Sequence, residues 1–377
     1  MLSKNLRPWR LFLALFLSLA VIRTPAYGRA LQIGALKVPD GFQLHLLTDA
    51  VPGARSLAVD NEGTVYVGSL NEGKVYAIPT KGGQATAVRT VLQGLDHPNG
   101  VAVLDHALYV AEVSRIIKVP LPIPKDKGGV HPEVIFKDLP TDPHHGWRYL
   151  RATPDGALLT AIGQPCNICN LDDPRYGALL KISADGKHTE TLARGFRNSV
   201  GFDYEPGTQI LWASDNGRDW LGDNSPPDEL NRIDRPGLHF GFPYCFGTDL
   251  RDPQYGHLMT CDQLTPPAFE FQAHVAPLGI RFYTGNQFPA KFHNQLFVAQ
   301  HGSWNRSQPV GYRVSSISVQ NGKALEESPF VWGFLQPDGK VLGRPVDLLI
   351  LEDGSMLISD DQAGAIYRVR YQAPESR

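Results

Sequence analysis

Residues 345–369, PVDLLILEDGSMLISDDQAGAIYRV, decide the fold. An apolar run meets an Asp-Gly turn, a second apolar run follows, and a third begins after another Gly. Runs of that length, punctuated in that way, read as three successive short strands. The Gly of Glu352-Asp353-Gly354 supplies the positive φ of a tight hairpin. Moving outward, the same grammar stands at residues 56–78 (SLAVDNEGTVYVGSLNEGKVYAI) and 99–119 (NGVAVLDHALYVAEVSRIIKV). It returns from Leu150 (with the turn Pro154-Asp155-Gly156), from Ser199 and from Leu278. Six copies of one small antiparallel motif imply an all-β, six-bladed β-propeller with a central channel. In that architecture the residues able to do chemistry sit at the channel mouth, in the linkers between strands.

The chain has 377 residues, 42% of them hydrophobic, with 37 Gly and 30 Pro, which suits one turn-rich domain rather than several. Residues 1–28 read as a secretory signal: Lys4, Arg7 and Arg10, then the apolar run Leu11 to Ile22, then Ala26-Tyr27-Gly28. Residues 29–377 then form the single propeller domain, in the periplasm or secreted, with no transmembrane segment after cleavage; an uncleaved membrane anchor is the alternative. Removing the four basic residues of the signal leaves 32 basic against 38 acidic, a net charge of −6. That balance argues against nucleic acid as a partner.

The four cysteines, Cys166, Cys169, Cys245 and Cys261, all follow the signal and read as two disulfides, Cys166–Cys169 and Cys245–Cys261. A redox-active dithiol is the alternative for the first pair. The segment Val38 to Leu47 has one alternating strand and no partner of its own. It is expected to join the last blade as its outer strand and close the ring, which removes exposed sheet edges. Two stretches break the regular spacing, residues 120–148 and the long interval from Phe202 to Phe282, and are read as insertions that carry function.

Four clusters could carry chemistry. His145, in Asp142-Pro-His-His-Gly-Trp-Arg148, precedes an inner strand and could act as a general base; a surface histidine is the plain alternative. Arg197-Asn198 holds the equivalent place in the next blade and offers a planar donor fork, or else a rim ion pair. Asp215 to Asn231 is dense in hard oxygen ligands, suiting calcium or simply solvated turns. His301 to Arg306, with Arg344, could hold an anionic planar ligand by ion pairing and stacking. There is no nucleophile elbow, zincin motif, Walker loop or dinucleotide fingerprint.

Taken in order, these motifs resemble the glucose/sorbosone dehydrogenase family, nearest its sorbosone-type branch, over roughly residues 35–371. The resemblance rests on Asn99-Gly100, His145-x-x-Arg148, Gly195-Phe-Arg197-Asn198, Asp215-Asn-Gly217, Asp228-Glu229-Leu-Asn231, Gly241-Phe-Pro243 and Ala276-Pro277. It implies a propeller holding pyrroloquinoline quinone (PQQ) and Ca²⁺, and an exported quinoprotein oxidoreductase that acts on a sugar or aldehyde. His145 would take the substrate proton as hydride passes to the quinone, and Arg197 with Asn198 would stabilise the resulting charge. Asn99, Arg197, Asn198, His301, Arg306 and Arg344 would bind the quinone. Carbonyls of Gly217 and Arg218 would hold the cofactor calcium, and Asp228 and Glu229 a second one. A quinone or cytochrome c would accept the electrons. The chain departs from the family at His144, where Asp is common, at Phe240, where Tyr is common, and in lacking a clear equivalent of the PQQ-binding Lys. A calcium-dependent lactonase-type hydrolase and a non-catalytic binding propeller are the competing readings.

Overall fold

The inner strand of each repeat, Leu57–Val59, Gly100–Leu104, Leu150–Ala152, Gly201–Tyr204, Pro277–Phe282 and Pro345–Ile350, starts a separate antiparallel sheet, and the six sheets form a propeller. The structure is a computed structural model and describes residues 31–124 and 130–373. The signal-peptide expectation therefore lies outside the described residues. Among those residues no helix is long and apolar enough to cross a membrane.

Within a blade the strands pair in chain order. Blade 2, for example, runs Gly100–Leu104, Ala107–Ala111, Ile116–Pro120 and Glu133–Phe136. Its last strand comes from the stretch read as an insertion, so part of residues 120–148 is ordinary blade. The second strand of each blade is buried on both faces, as in Ala107–Ala111 and Leu296–Gln300. That explains why apolar runs there are nearly continuous instead of alternating. The core is accordingly a set of slabs between blades: Tyr149, Phe202 and Phe196 between blades 3 and 4, and Trp212, Phe282 and Val298 between blades 4 and 5.

Phe42–Thr48 pairs antiparallel with Ala365–Tyr371, in the register Phe42↔Tyr371 and Leu44↔Val369, and completes blade 6 from the opposite end of the chain. The long interval in blade 4 leaves the sheet after Asp228–Ile233, and Leu238–His239 adds to Thr189–Arg194 of blade 3 as a parallel strand. A small hairpin, Cys245–Phe246 with Leu250–Arg251, follows and is pinned by the Cys245–Cys261 disulfide.

Along the axis the inner strands are knitted by polar groups. Asp347 accepts from the Leu57 amide at 2.8 Å and the Tyr149 hydroxyl at 3.0 Å. Arg281 donates to Tyr149 Oη at 3.1 Å and the Leu348 carbonyl at 2.9 Å, while Asp203 accepts from the Phe282 amide at 2.8 Å. Every one of these groups is buried, and each bond joins different blades, which satisfies polar atoms that close packing would otherwise strand.

Candidate active site at the channel mouth

A cavity of about 380 Å³ opens where the chain enters the inner strands. Arg55, His145, Arg197 and Arg344 all line it, and each stands shortly before the inner strand of a different blade. The repeat thus delivers equivalent positions to one axis.

His145 has φ +50° and is buried, and its Nδ1 lies 2.8 Å from the Gln164 carbonyl. A carbonyl can only accept, so Nδ1 carries the proton and Nε2 keeps its lone pair. Gly163 makes room for this ring: a Cβ there would sit 2.7 Å from that of His145. Burial, then the charge of Arg197, then His144 push the imidazole down to about 2. It is a neutral imidazole at any ordinary pH. His144, with its ring 4.0 Å away, also lines the cavity and is likewise lowered, chiefly by burial.

Arg197 spends all its donors on the protein. Nε donates to the Asn167 carbonyl at 2.9 Å, and Nη1 to the carbonyls of Asn216 at 3.3 Å and Gly217 at 2.9 Å. Nη2 donates to Asn167 Oδ1 at 3.0 Å and Asp219 Oδ2 at 2.8 Å. The turn that aims it is set by Asp215, whose two oxygens take the amides of Arg197 and Asn198 at 2.8 and 2.7 Å. Burial raises that carboxyl to about 7, against the pull of those amides and of Arg197.

Asn167 lies inside the Cys166–Cys169 disulfide loop. It also exchanges two bonds with Asp219, accepting from its amide at 2.8 Å and donating to its carbonyl at 3.1 Å. The same loop region supplies Gln164, the partner of His145. One short disulfide segment therefore orients both His145 and Arg197.

The opposite wall is cationic. His301 donates from Nε2 to Asp361 at 2.9 Å, and Arg55 donates from Nη1 to the same carboxylate at 2.9 Å. Burial alone would raise the Asp361 carboxyl, but contact with His301 and Arg55 outweighs it and holds it well below the usual range. Arg344 donates to the carbonyls of His301 at 3.0 Å and Gly302 at 2.7 Å, and lies 5.5 Å above the Tyr312 ring.

Of the residues singled out from sequence, His145, Arg197, Asn198 and Gly217 line the cavity, as do Asp228, His301 and Arg344. Four do not. Asn99 turns aside to accept from Arg55 Nε at 2.8 Å and donate to the Arg148 carbonyl at 3.0 Å. Arg218 pairs with buried Asp252. Glu229 is buried against the Gly247 amide at 2.7 Å and is raised to about 8 by burial and by Asp215. Arg306 bridges two mouth loops, donating to the Asp223 carbonyl and to Asn224 Oδ1 at 3.2 Å. Asp228 takes the amides of Gly217 and Ala276 at 2.7 and 2.8 Å. Sequence reasoning passed over Arg55 and Asp361, and it assigned no role to Asn167 and Asn305 within the segments it singled out. Arg55 was within reach, because it precedes an inner strand just as Arg197 does; the others lie on the connections between the second and third strands of blades 3, 5 and 6, whose unequal lengths hide their equivalence.

A family model described as TrAA12-like matches residues 178–372. An uncharacterized protein of Borreliella burgdorferi is 37% identical over 354 residues, covering 89% of this chain and 91% of that protein. A pyrroloquinoline quinone-dependent pyranose dehydrogenase of Coprinopsis cinerea is 26% identical over 235 residues, which is 49% of this chain but 32% of that protein. Among solved structures, the calcium structure of the Trichoderma reesei carbohydrate-active enzyme of family AA12 superposes with a TM-score of 0.77 at 20% identity, covering 89% of this chain and 97% of that one.

Proposed function

The chain belongs to the TrAA12-like family, and from that membership we propose that it is a PQQ-dependent oxidoreductase that oxidises a sugar at the channel mouth. The observation that carries the proposal is His145, a buried neutral imidazole whose Nε2 lone pair is left free in a cavity that Arg55, Arg197 and Arg344 also line.

The donor set fits a planar polycarboxylate. Arg55 Nη2 and Arg344 Nη1 make no hydrogen bond among the described residues, although both side chains are anchored through their other nitrogens. Asn305 also lines the cavity, and both its amide atoms are buried without a partner. Unpaired buried donors are costly unless a ligand satisfies them. Arg55, Arg344 and Asn305 would hold the carboxylates, with His301 positioned by Asp361 beside them. When bound, the quinone supplies a two-electron acceptor that side chains lack.

The chain's own residues do the proton work. His145 Nε2 would accept the proton of a substrate hydroxyl; burial and Arg197 oppose the imidazolium, and the negative charge of a bound polycarboxylate would offset them, with the Gln164 carbonyl steadying the ring. Arg197 keeps a positive charge beside the reacting atoms. Asn99 and Arg306 would support the quinone site indirectly: Asn99 positions Arg55, and Arg306 positions the mouth loops.

A calcium ion fits less well. The Gly217 carbonyl already accepts from Arg197, and among the described residues no three His, Cys, Asp or Glu side chains converge on one point.

Reconstitution tests the proposal. Purified protein mixed with PQQ, with and without Ca²⁺, should gain quinone absorbance and reduce a dye acceptor with an aldose or sorbosone. No quinone uptake and no dye reduction with any sugar would sink it. Arg344→Ala is expected to weaken quinone binding about ten-fold or more, as loss of a charge-assisted contact does.

A further inference from the structure

Among the described residues seven large apolar side chains are exposed, and the two aromatic ones, Trp220 at 68% and Trp304 at 63%, touch each other. Their rings meet edge to face with centroids 5.2 Å apart. Scattered exposed apolar groups need no explanation, but a contiguous indole pair at a cavity mouth does. Trp304 itself lines the cavity, and Trp220 follows Asp219, which lines it too. Trp220 is also held at φ +71°, a region bulky residues rarely adopt. Backbone outliers of that kind persist where surrounding structure enforces them, and they cluster at ligand sites.

The enforcement is visible. His274 Nε2 lies 2.9 Å from the Gly222 carbonyl on the Trp220 loop. On the Trp304 loop, Ser303 and Val310 exchange bonds, the Ser303 amide to the Val310 carbonyl and the Val310 amide to Ser303 Oγ, both at 3.0 Å. Arg306 and Ser307 join the two loops through Asp223 and Asn224. The stems are fixed while the indoles stand in solvent, which is a preorganised surface. Its charges are already answered internally: Asp219 by Arg197, the Asp223 carboxylate by the amide and hydroxyl of Ser307 with Arg306 nearby, and Arg218 by Asp252. A neutral ligand with an apolar face is what remains to be recognised. The C–H face of a pyranose ring is such a ligand, and an indole is its natural stacking partner.

We propose that Trp220 and Trp304 form a glycan-binding platform continuous with the cavity, so that the preferred substrate is the terminal unit of a neutral oligosaccharide whose next rings stack on the two indoles. This rests on the sugar-oxidising reading of the cavity. Continuity is the reason for a chain rather than a lone sugar, since a ring on Trp304 adjoins whatever unit fills the cavity. A docking site for an electron-accepting protein is the competing occupant; such sites draw on unpaired surface charge, whereas Asp219, Arg218 and Asp223 on the Trp220 loop each have a partner.

The test is calorimetric titration of the full protein, without quinone, with glucose and with cellohexaose, maltohexaose, xylohexaose and chitohexaose. At least one hexasaccharide should bind about ten-fold or more tightly than glucose. Trp304→Ala and Trp220→Ala should each abolish that advantage, with unchanged thermal midpoints because both indoles are in solvent. Trp304→Phe should restore part of it. Equal affinity for glucose and every hexasaccharide, or full affinity in both alanine variants, would overturn the proposal. So would tryptophan-dependent binding of cytochrome c with none of the glycans bound. A dye assay with quinone separates the two readings: glycan binding without dye reduction removes the dehydrogenase, and reduction with glucose but no hexasaccharide advantage removes the platform.

Discussion

His145 is held neutral by its burial, by Arg197 and by His144, so its titration affects stability as well as catalysis. Its folded value of about 2 lies below the value near 6.5 of an unfolded chain. As pH falls, the unfolded state therefore takes up this proton first. The stability contributed above about pH 6.5 is lost on the way down, by roughly 2 kcal/mol at pH 5 from this group alone. Urea unfolding of quinone-free protein should show that slope, and His145→Gln should flatten it. An identical slope in the variant would mean that the ring is not kept neutral by its surroundings. The same substitution should lower turnover about 10²- to 10⁴-fold while leaving quinone uptake intact, as loss of a general base does. The candidacy of His145 was legible in sequence, because it stands just before an inner strand. Its tautomer was not, because that depends on Gln164, nineteen positions away in the next connection.

The two disulfides differ in what they hold. Cys245–Cys261 closes a span of 16 residues on an excursion that crosses from blade 4 to blade 3, and chain entropy makes such a loop worth about 3 kcal/mol. The Cys245→Ala/Cys261→Ala variant should lose roughly that much stability. Cys166–Cys169 spans only 3 residues, so it restricts the unfolded chain far less, but it frames the Asn167 atoms that clamp Arg197. Its double alanine variant should keep most of its unfolding free energy and lose turnover. A large fall in stability with unchanged turnover would reverse that assignment. Two disulfides could be read from an even cysteine count after a signal-like segment, with a redox-active dithiol as the alternative for Cys166 and Cys169. That one loop serves two site residues could not, since Asn167 acts through neighbours brought to it by folding.

Closure makes the whole molecule one cooperative object. Phe42, on the strand that completes blade 6, packs edge-on against Phe288, Phe292, Phe330 and Tyr371. Phe42→Ala should cost about 3–5 kcal/mol, read as a lower urea midpoint, because the ring is closed through this contact. An unchanged midpoint would show that closure does not depend on it. The sequence by itself determined the all-β class, the number of blades and the closing strand. These follow from local apolar periodicity and turn chemistry, repeated often enough to be read without any partner in view. Only the tertiary structure decided which residues share the cavity. Arg55 joined it and Arg306 left it for a loop clamp, although both are arginines beside motifs of similar quality. Cavity membership is set by where connections of unequal length are anchored and by which carboxylates and carbonyls claim each guanidinium. Those are contacts between residues up to 306 positions apart, as in Arg55 and Asp361, and no local pattern encodes them.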